Sequence, residues 1–185
     1  MYKLSNFSDE NGILISPHQI LSFVISSFGK TYHATGWKVG YSVGAPKLIE
    51  AAAKAHQFLT FTTPPNLQKA VAYGLSKDAE YFKSLGADMQ AKRDRFGEGL
   101  RKIGFDVMDS QGTYFLTVDY RPLGYKGNDV DFCKHLTTEA GVAAVPFSPF
   151  YRDGTASGVD HFARFCYCKK NSLLDEALER LGNHF

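Results

Sequence analysis

The stretch from Ser26 to Tyr41, SSFGKTYHATGWKVGY, constrains the fold of this chain more than any other. The run leading into it, SFVISS from Ser22 to Ser27, reads as a buried strand. Phe28-Gly29-Lys30 then reads as a tight turn, and GWKVGYSV, Gly36 to Val43, as a second strand. Ser27 sits three residues before Lys30, and Lys38 eight residues after it. An amine does covalent work only when deprotonated, which a partly buried turn beside a second cation favours. A hydroxyl and a cation held at fixed spacing suit a phosphate. Taken singly, each residue also has a plainer reading: a surface lysine in a G-K-T turn, a turn hydroxyl, an exposed strand lysine.

FGKT is not a nucleotide phosphate loop. That loop needs a glycine five residues before the glycine of its G-K pair, and Val24 stands there. It also needs a helix after the lysine, where this sequence reads as strand.

The rest of the chain divides by pattern. Pro46 opens a helix through LIEAAAKAHQF, since its ring suits a first helical position. Pro64-Pro65 ends that segment, and Leu67 to Leu75 is a second helix. Asp78 to Ile103 is one long amphipathic helix, or two with a kink near Gly86. Beyond Gly104, Phe105 to Met108 and Tyr114 to Tyr120 form a strand pair, and Asn128 caps a helix through Glu139. Val142 to Val145 is a short strand, Phe147 to Asp160 a loop, His161 to Cys168 a strand and Ser172 to Leu181 a helix. The predicted divisions are an atypical segment 1–21, a mostly helical part 22–103 and an α+β part 104–185.

A second point of interest is Arg164 in HFARFCYC. Phe162, Arg164, Cys166 and Cys168 share one strand face by alternation. An arginine inside such a strand either sits at a sheet edge and reaches water or answers an anion. Tyr114 fits a strand start packed on the core. His33, His56 and His161 are scattered, and Cys166 and Cys168 lack the further ligands of a zinc set.

These strings, in this order and spacing, resemble the class I pyridoxal-phosphate aminotransferases. The kynurenine/methionine aminotransferase subgroup, with its S-x-G-K-T-…-T-G-W-K-x-G strings, is the most similar. The resemblance runs from about Phe23 to about Leu181 and covers the second half of such an enzyme. It implies an α/β fold type I transferase, present as a C-terminal fragment: a remnant of the large domain plus the α+β small domain. It implies pyridoxal 5'-phosphate as cofactor, with Lys30 forming the covalent link and moving the proton at the substrate's α-carbon. Ser27 and Lys38 would hold the cofactor phosphate. Arg164, in the family's R-F-C-[FY] string, would grip the substrate α-carboxylate through the paired N–H fork of its guanidinium. Phe150, in VAAVPFSPFY, would line the side-chain pocket, and Phe61-Thr62 match a segment that reaches the partner subunit's site. The implied substrates are an amino acid and a 2-oxo acid, and the implied assembly is a homodimer.

The family's first half, with its aspartate at the pyridine nitrogen, has no counterpart here. Asp9 in SDEN resembles the family's D-E-x-Y string, but Asn11 and Gly12 follow Glu10 and the spacing to Lys30 is short, so Asp9 takes no role. A cysteine-conjugate β-lyase shares the same lysine and arginine, and a non-catalytic remnant is a third reading. The fragment alone is expected to be inactive. Its 21 basic and 19 acidic side chains leave a net charge of +2, no footprint for nucleic acid. No apolar run approaches a membrane span and the opening is not a signal peptide. The three cysteines, Cys133, Cys166 and Cys168, suit a cytoplasmic setting.

Overall fold

Strands β1 (Phe23–Ser27) and β2 (Gly40–Gly44) pair antiparallel in the computed structural model, which describes residues 22–185. Asp9 and the atypical segment 1–21 lie outside the described residues. The register sets Ser27 opposite Gly40. A Cβ on Gly40 would stand 2.6 Å from the Ser26 carbonyl oxygen, so only glycine lets the strands approach here. The second strand starts later than the sequence suggests. Thr35–Trp37 forms a 3-10 turn, and Lys38 ends it in the left-handed region at φ 54°. The first strand is not buried: Ile25 is 74% exposed and Val24 50%. A ribbon of two strands has no second layer of its own, so β-branched composition alone does not bury it.

Helix α1 (Pro46–Leu59) starts at its proline, and α2 (Pro65–Leu75) starts at the second proline of Pro64-Pro65. These elements form one of two compact units, which divide after Ala79. Its described core is small, with Val39 and Val71 buried, and Gly74 lets the Tyr32 ring lie against α2.

The second unit is built on a four-stranded antiparallel sheet of order β3-β4-β6-β5, with β3 Asp106–Val107, β4 Phe115–Asp119, β5 Val145–Pro146 and β6 Phe162–Cys166. Three helices supply its apolar stripes. Helix α3 (Ala79–Ile103) is continuous through Gly86 and contributes Phe96 and Leu100 at helical spacing. Helix α4 (Asp129–His135) contributes Phe132 and Cys133, and one π-helical turn, Leu136–Ala140, carries it to Gly141. Helix α5 (Asn171–His184) contributes Leu174 and Leu181. Phe132 stacks on Tyr120 at 3.9 Å, and Phe105 meets Phe165 edge to face at 5.7 Å. Each large side chain so buried stabilises the unit by about 1.5–3 kcal/mol. The buried hydroxyls are satisfied: Tyr120 donates to the Asp160 and Gly127 carbonyls, and Tyr167 to the Thr113 carbonyl. No helix among the described residues is long and apolar enough to cross a membrane.

Candidate functional site

The first group of candidate residues lies on the turn between β1 and β2. Gly29 is buried, and its N–H donates to Ser27 Oγ at 3.1 Å. The Ala34 N–H and the Thr35 hydroxyl both donate to the Gly29 carbonyl, at 2.8 and 3.3 Å. Tyr32 N–H donates to the Phe28 carbonyl at 3.1 Å and His33 N–H to that of Lys30 at 3.4 Å. Lys30 is thus held in a closed loop of main-chain bonds. Phe28 N–H donates to the Val39 carbonyl at 3.1 Å, which brings the Lys38 end of the turn beside Ser27. Ser27, Lys30 and Lys38 are all exposed, so the partly buried lysine expected from the sequence is an exposed one.

This turn can hold a phosphate and a carbonyl carbon. Ser27 Oγ accepts from Gly29 and keeps its own proton to donate, and two amines stand within the same turn. A protonated ring nitrogen would need a carboxylate, and residues 22–45 contain none. The donor set fits the phosphate and aldehyde ends of pyridoxal 5'-phosphate, and the described residues of the turn itself offer nothing to its pyridine end. A cleft of about 350 Å³ in the same unit is lined by Phe28, Val39, His56, Thr63 and Leu75. None of the three candidate residues lines it, and no lysine does.

The second group lies in the other unit. Strand β6 is interior: β4 pairs along one side and β5 along the other, with Thr117 and Val145 both opposite Arg164. An edge position reaching water is thereby ruled out. Ala163 and Phe165 point into the core, and Phe162, Arg164 and Cys166 share the other face. The Arg164 guanidinium carbon lies 4.0 Å from the centroid of the Phe115 ring and 4.6 Å from that of Phe150. Its Nε is buried without a hydrogen-bond partner, and no described carboxylate pairs with it. Phe150 is 60% exposed.

Three contributors were missed in the sequence. Phe115 is on β4, and only the strand register brings it to Arg164. Asp129 and Ser148 act at a distance. The fully buried Asp129 carboxylate accepts from the N–H groups of Phe147 and Ser148, both at 2.5 Å, and from Ser148 Oγ at 2.8 Å. This fixes the turn Ser148–Phe150 that carries the Phe150 ring. The Asn128 N-cap, whose side chain accepts from Asp131 N–H, is the one local signal that a carboxylate follows at the helix start. Burial, aided by the charge of Asp129, pushes the Cys133 thiol up to about 12. No group of three or more His, Cys, Asp or Glu side chains among the described residues could hold a metal ion.

Comparison with known proteins gives these sites a context. A model of the family described as aminotransferase class I and II matches residues 11–181. The methionine aminotransferase of Escherichia coli K12 is 39% identical over 184 residues, covering 98% of this chain and 47% of that protein. A probable N-succinyldiaminopimelate aminotransferase of Mycobacterium tuberculosis is 41% identical over 167 residues, covering 87% of this chain and 42% of its own length. The solved structure of N-succinyldiaminopimelate aminotransferase from M. tuberculosis superposes with a TM-score of 0.84 at 39% identity, over 91% of this chain and 43% of that one. The chain spans less than half the length of each of these proteins.

Proposed function

We propose, for a chain that belongs to the class I and II aminotransferase family, that it carries the cofactor-lysine turn and the carboxylate-binding strand of an enzyme moving an amino group from an amino acid to a 2-oxo acid. The observation that carries this reading is Arg164: an interior-strand guanidinium with a buried, unpartnered Nε and no ion pair among the described residues. Such a cation is costly to bury unless an anion meets it. A planar carboxylate matches its N–H fork with two parallel hydrogen bonds.

In this reading Arg164 orients the amino acid by its α-carboxylate. Lys30 would hold pyridoxal 5'-phosphate through its aldehyde carbon, with loss of water, and would move the proton at the substrate's α-carbon. Ser27 donates its hydroxyl to the cofactor phosphate, and Lys38 adds a positive charge there. When bound, the cofactor supplies the electron sink for bond breaking at the α-carbon. Phe150 lines the side-chain pocket. The apolar rings beside Arg164 favour an uncharged side chain, as in methionine, the substrate named for the E. coli relative. Homodimerisation and a cytoplasmic setting belong to the same reading. Phe58, Leu59 and Phe61 expose apolar surface that a second copy can cover, and the three cysteines are unpaired.

The test uses the 185-residue chain. Incubation with pyridoxal 5'-phosphate, borohydride reduction and peptide mapping should put the label on Lys30, and label on another lysine overturns the assignment. The exposure of Ser27, Lys30 and Lys38 supports slow turnover by this chain alone. Methionine with a 2-oxo acid should give well under roughly 1 turnover per second, and ordinary rates would refute that part.

A further inference from the structure

We propose that Phe115 and Phe150 are positioning residues for Arg164, steadying its guanidinium as an uncompensated cation so that its N–H fork stays available to a ligand carboxylate. The proposal rests on the reading that Arg164 takes a carboxylate, and goes beyond it by stating what keeps the arginine ready.

A guanidinium on the middle of an interior strand needs something to hold it. The usual partner is a carboxylate side chain, which would neutralise the charge and use the same N–H groups that a ligand must reach. Here the partners are two ring faces, at 4.0 and 4.6 Å, and no acid among the described residues. A ring face attracts the cation through its quadrupole but carries no lone pair in the plane of the fork. It restrains the side chain without occupying its donors. The unpartnered Nε is consistent with this: the charge is balanced in part, and the hydrogen bonds are not.

The two rings are held independently. Phe115 is on β4 opposite Cys166, and Tyr114 lies against it at 4.5 Å. Phe150 is on the turn that Asp129 secures through Phe147 and Ser148. The strand ring is fixed by the sheet, and the loop ring by the buried Asp129 carboxylate, which binds Ser148 two residues before it in the turn. The Phe147 ring, at 6.4 Å from that of Phe150, adds a further contact on the loop side.

The experiment follows the Nε–H resonance of Arg164 in the 185-residue chain by ¹H–¹⁵N NMR, assigned by its loss in Arg164→Lys. The probe ligand is 3-phenylpropionate, with 3-phenylpropanol as the control lacking the carboxylate. In the parent chain the resonance should be shielded by the rings, shift with the acid and ignore the alcohol. Phe115→Leu keeps apolar volume and loses the π face. It should move the resonance toward the unshielded range and weaken 3-phenylpropionate about fivefold, the size of one cation–π contact. Phe115→Tyr keeps the face and should bind within about twofold of the parent. Phe150→Leu, in an exposed loop where folding is not at risk, should behave as Phe115→Leu does. Leucine variants that bind the acid as the parent does overturn the proposal while leaving the Arg164 reading intact. A parent resonance that ignores the acid overturns both.

Discussion

Replacing Asp129 tests whether the loop over Arg164 is held by one buried carboxylate. Asp129→Ala removes the acceptor of three hydrogen bonds, two from main-chain N–H groups and one from the Ser148 hydroxyl. Bonds to a charged group contribute about 1.5–3 kcal/mol each, so the gross loss is about 5–9 kcal/mol. The carboxylate's own desolvation, several kcal/mol, is recovered when it goes, leaving a net loss of about 3–4 kcal/mol. That is a large part of the 5–15 kcal/mol typical of a domain. Asp129→Asn keeps one acceptor and should cost about 2 kcal/mol, and Ser148→Ala about 1.5 kcal/mol. The assay is urea denaturation followed by far-UV circular dichroism, which reads α3, α4 and α5. All three midpoints should lie below the parent's at a constant slope, lowest for Asp129→Ala, then Asp129→Asn, then Ser148→Ala. Amide exchange at Phe147 and Ser148 should accelerate in all three. A loss under about 1 kcal/mol for Asp129→Ala, with those amides still protected, would refute the argument.

Three further outcomes are expected. Cys133, buried and with its thiol pushed up to about 12, should resist a thiol reagent at pH 8 until the chain unfolds, whereas the half-buried Cys166 and Cys168 react in the native state; early labelling of Cys133 would count against the described core. Burial raises the Asp119 carboxyl, but hydrogen bonds from the Arg121 side chain and N–H, with its charge, outweigh this and hold it below the ordinary value. A depressed carboxyl stabilises above its unfolded pKa and loses that contribution as pH falls through the folded value, so Arg121→Ala should reduce stability at neutral pH and flatten the acid limb of a stability–pH curve; parallel curves would refute the link. Lys38→Ala should lower retention of pyridoxal 5'-phosphate on dialysis while the melting curve is unchanged, and equal retention would remove Lys38 from the phosphate site.

The helices were legible because their signals are local. Pro46 and the Pro64-Pro65 pair mark the starts of α1 and α2, and Leu174, Ala177, Leu178 and Leu181 recur at helical spacing along α5. The strand pair around Met108 and Tyr120 and the alternation of β6 were also readable. The exposure of β1 was not, since SFVISS has the composition of a covered strand and composition does not say what packs on it. The late start of β2 was hidden too, because the bonds from Ala34 and Thr35 to the Gly29 carbonyl override the strand preference of the residues that follow. For Arg164 the sequence left an edge and an anion as alternatives, and the order β4-β6-β5 excludes the edge. Asp129 and Ser148 are nineteen residues apart, and Phe115 lies still further from its arginine. No local pattern joins such pairs.

The alternation in β6 also governs how this region can change over generations. Ala163, Phe165 and Tyr167 set the strand in place through the core, and Arg164 inherits its direction from them. Inserting or deleting one residue would turn the strand over, sending Phe165 to the outer face and the arginine's charge into the core. Substitution on the outer face disturbs nothing beneath it. Such a strand tolerates new side chains on its outer face while rejecting any change in its length, so descendants can vary that face without relearning how to fold.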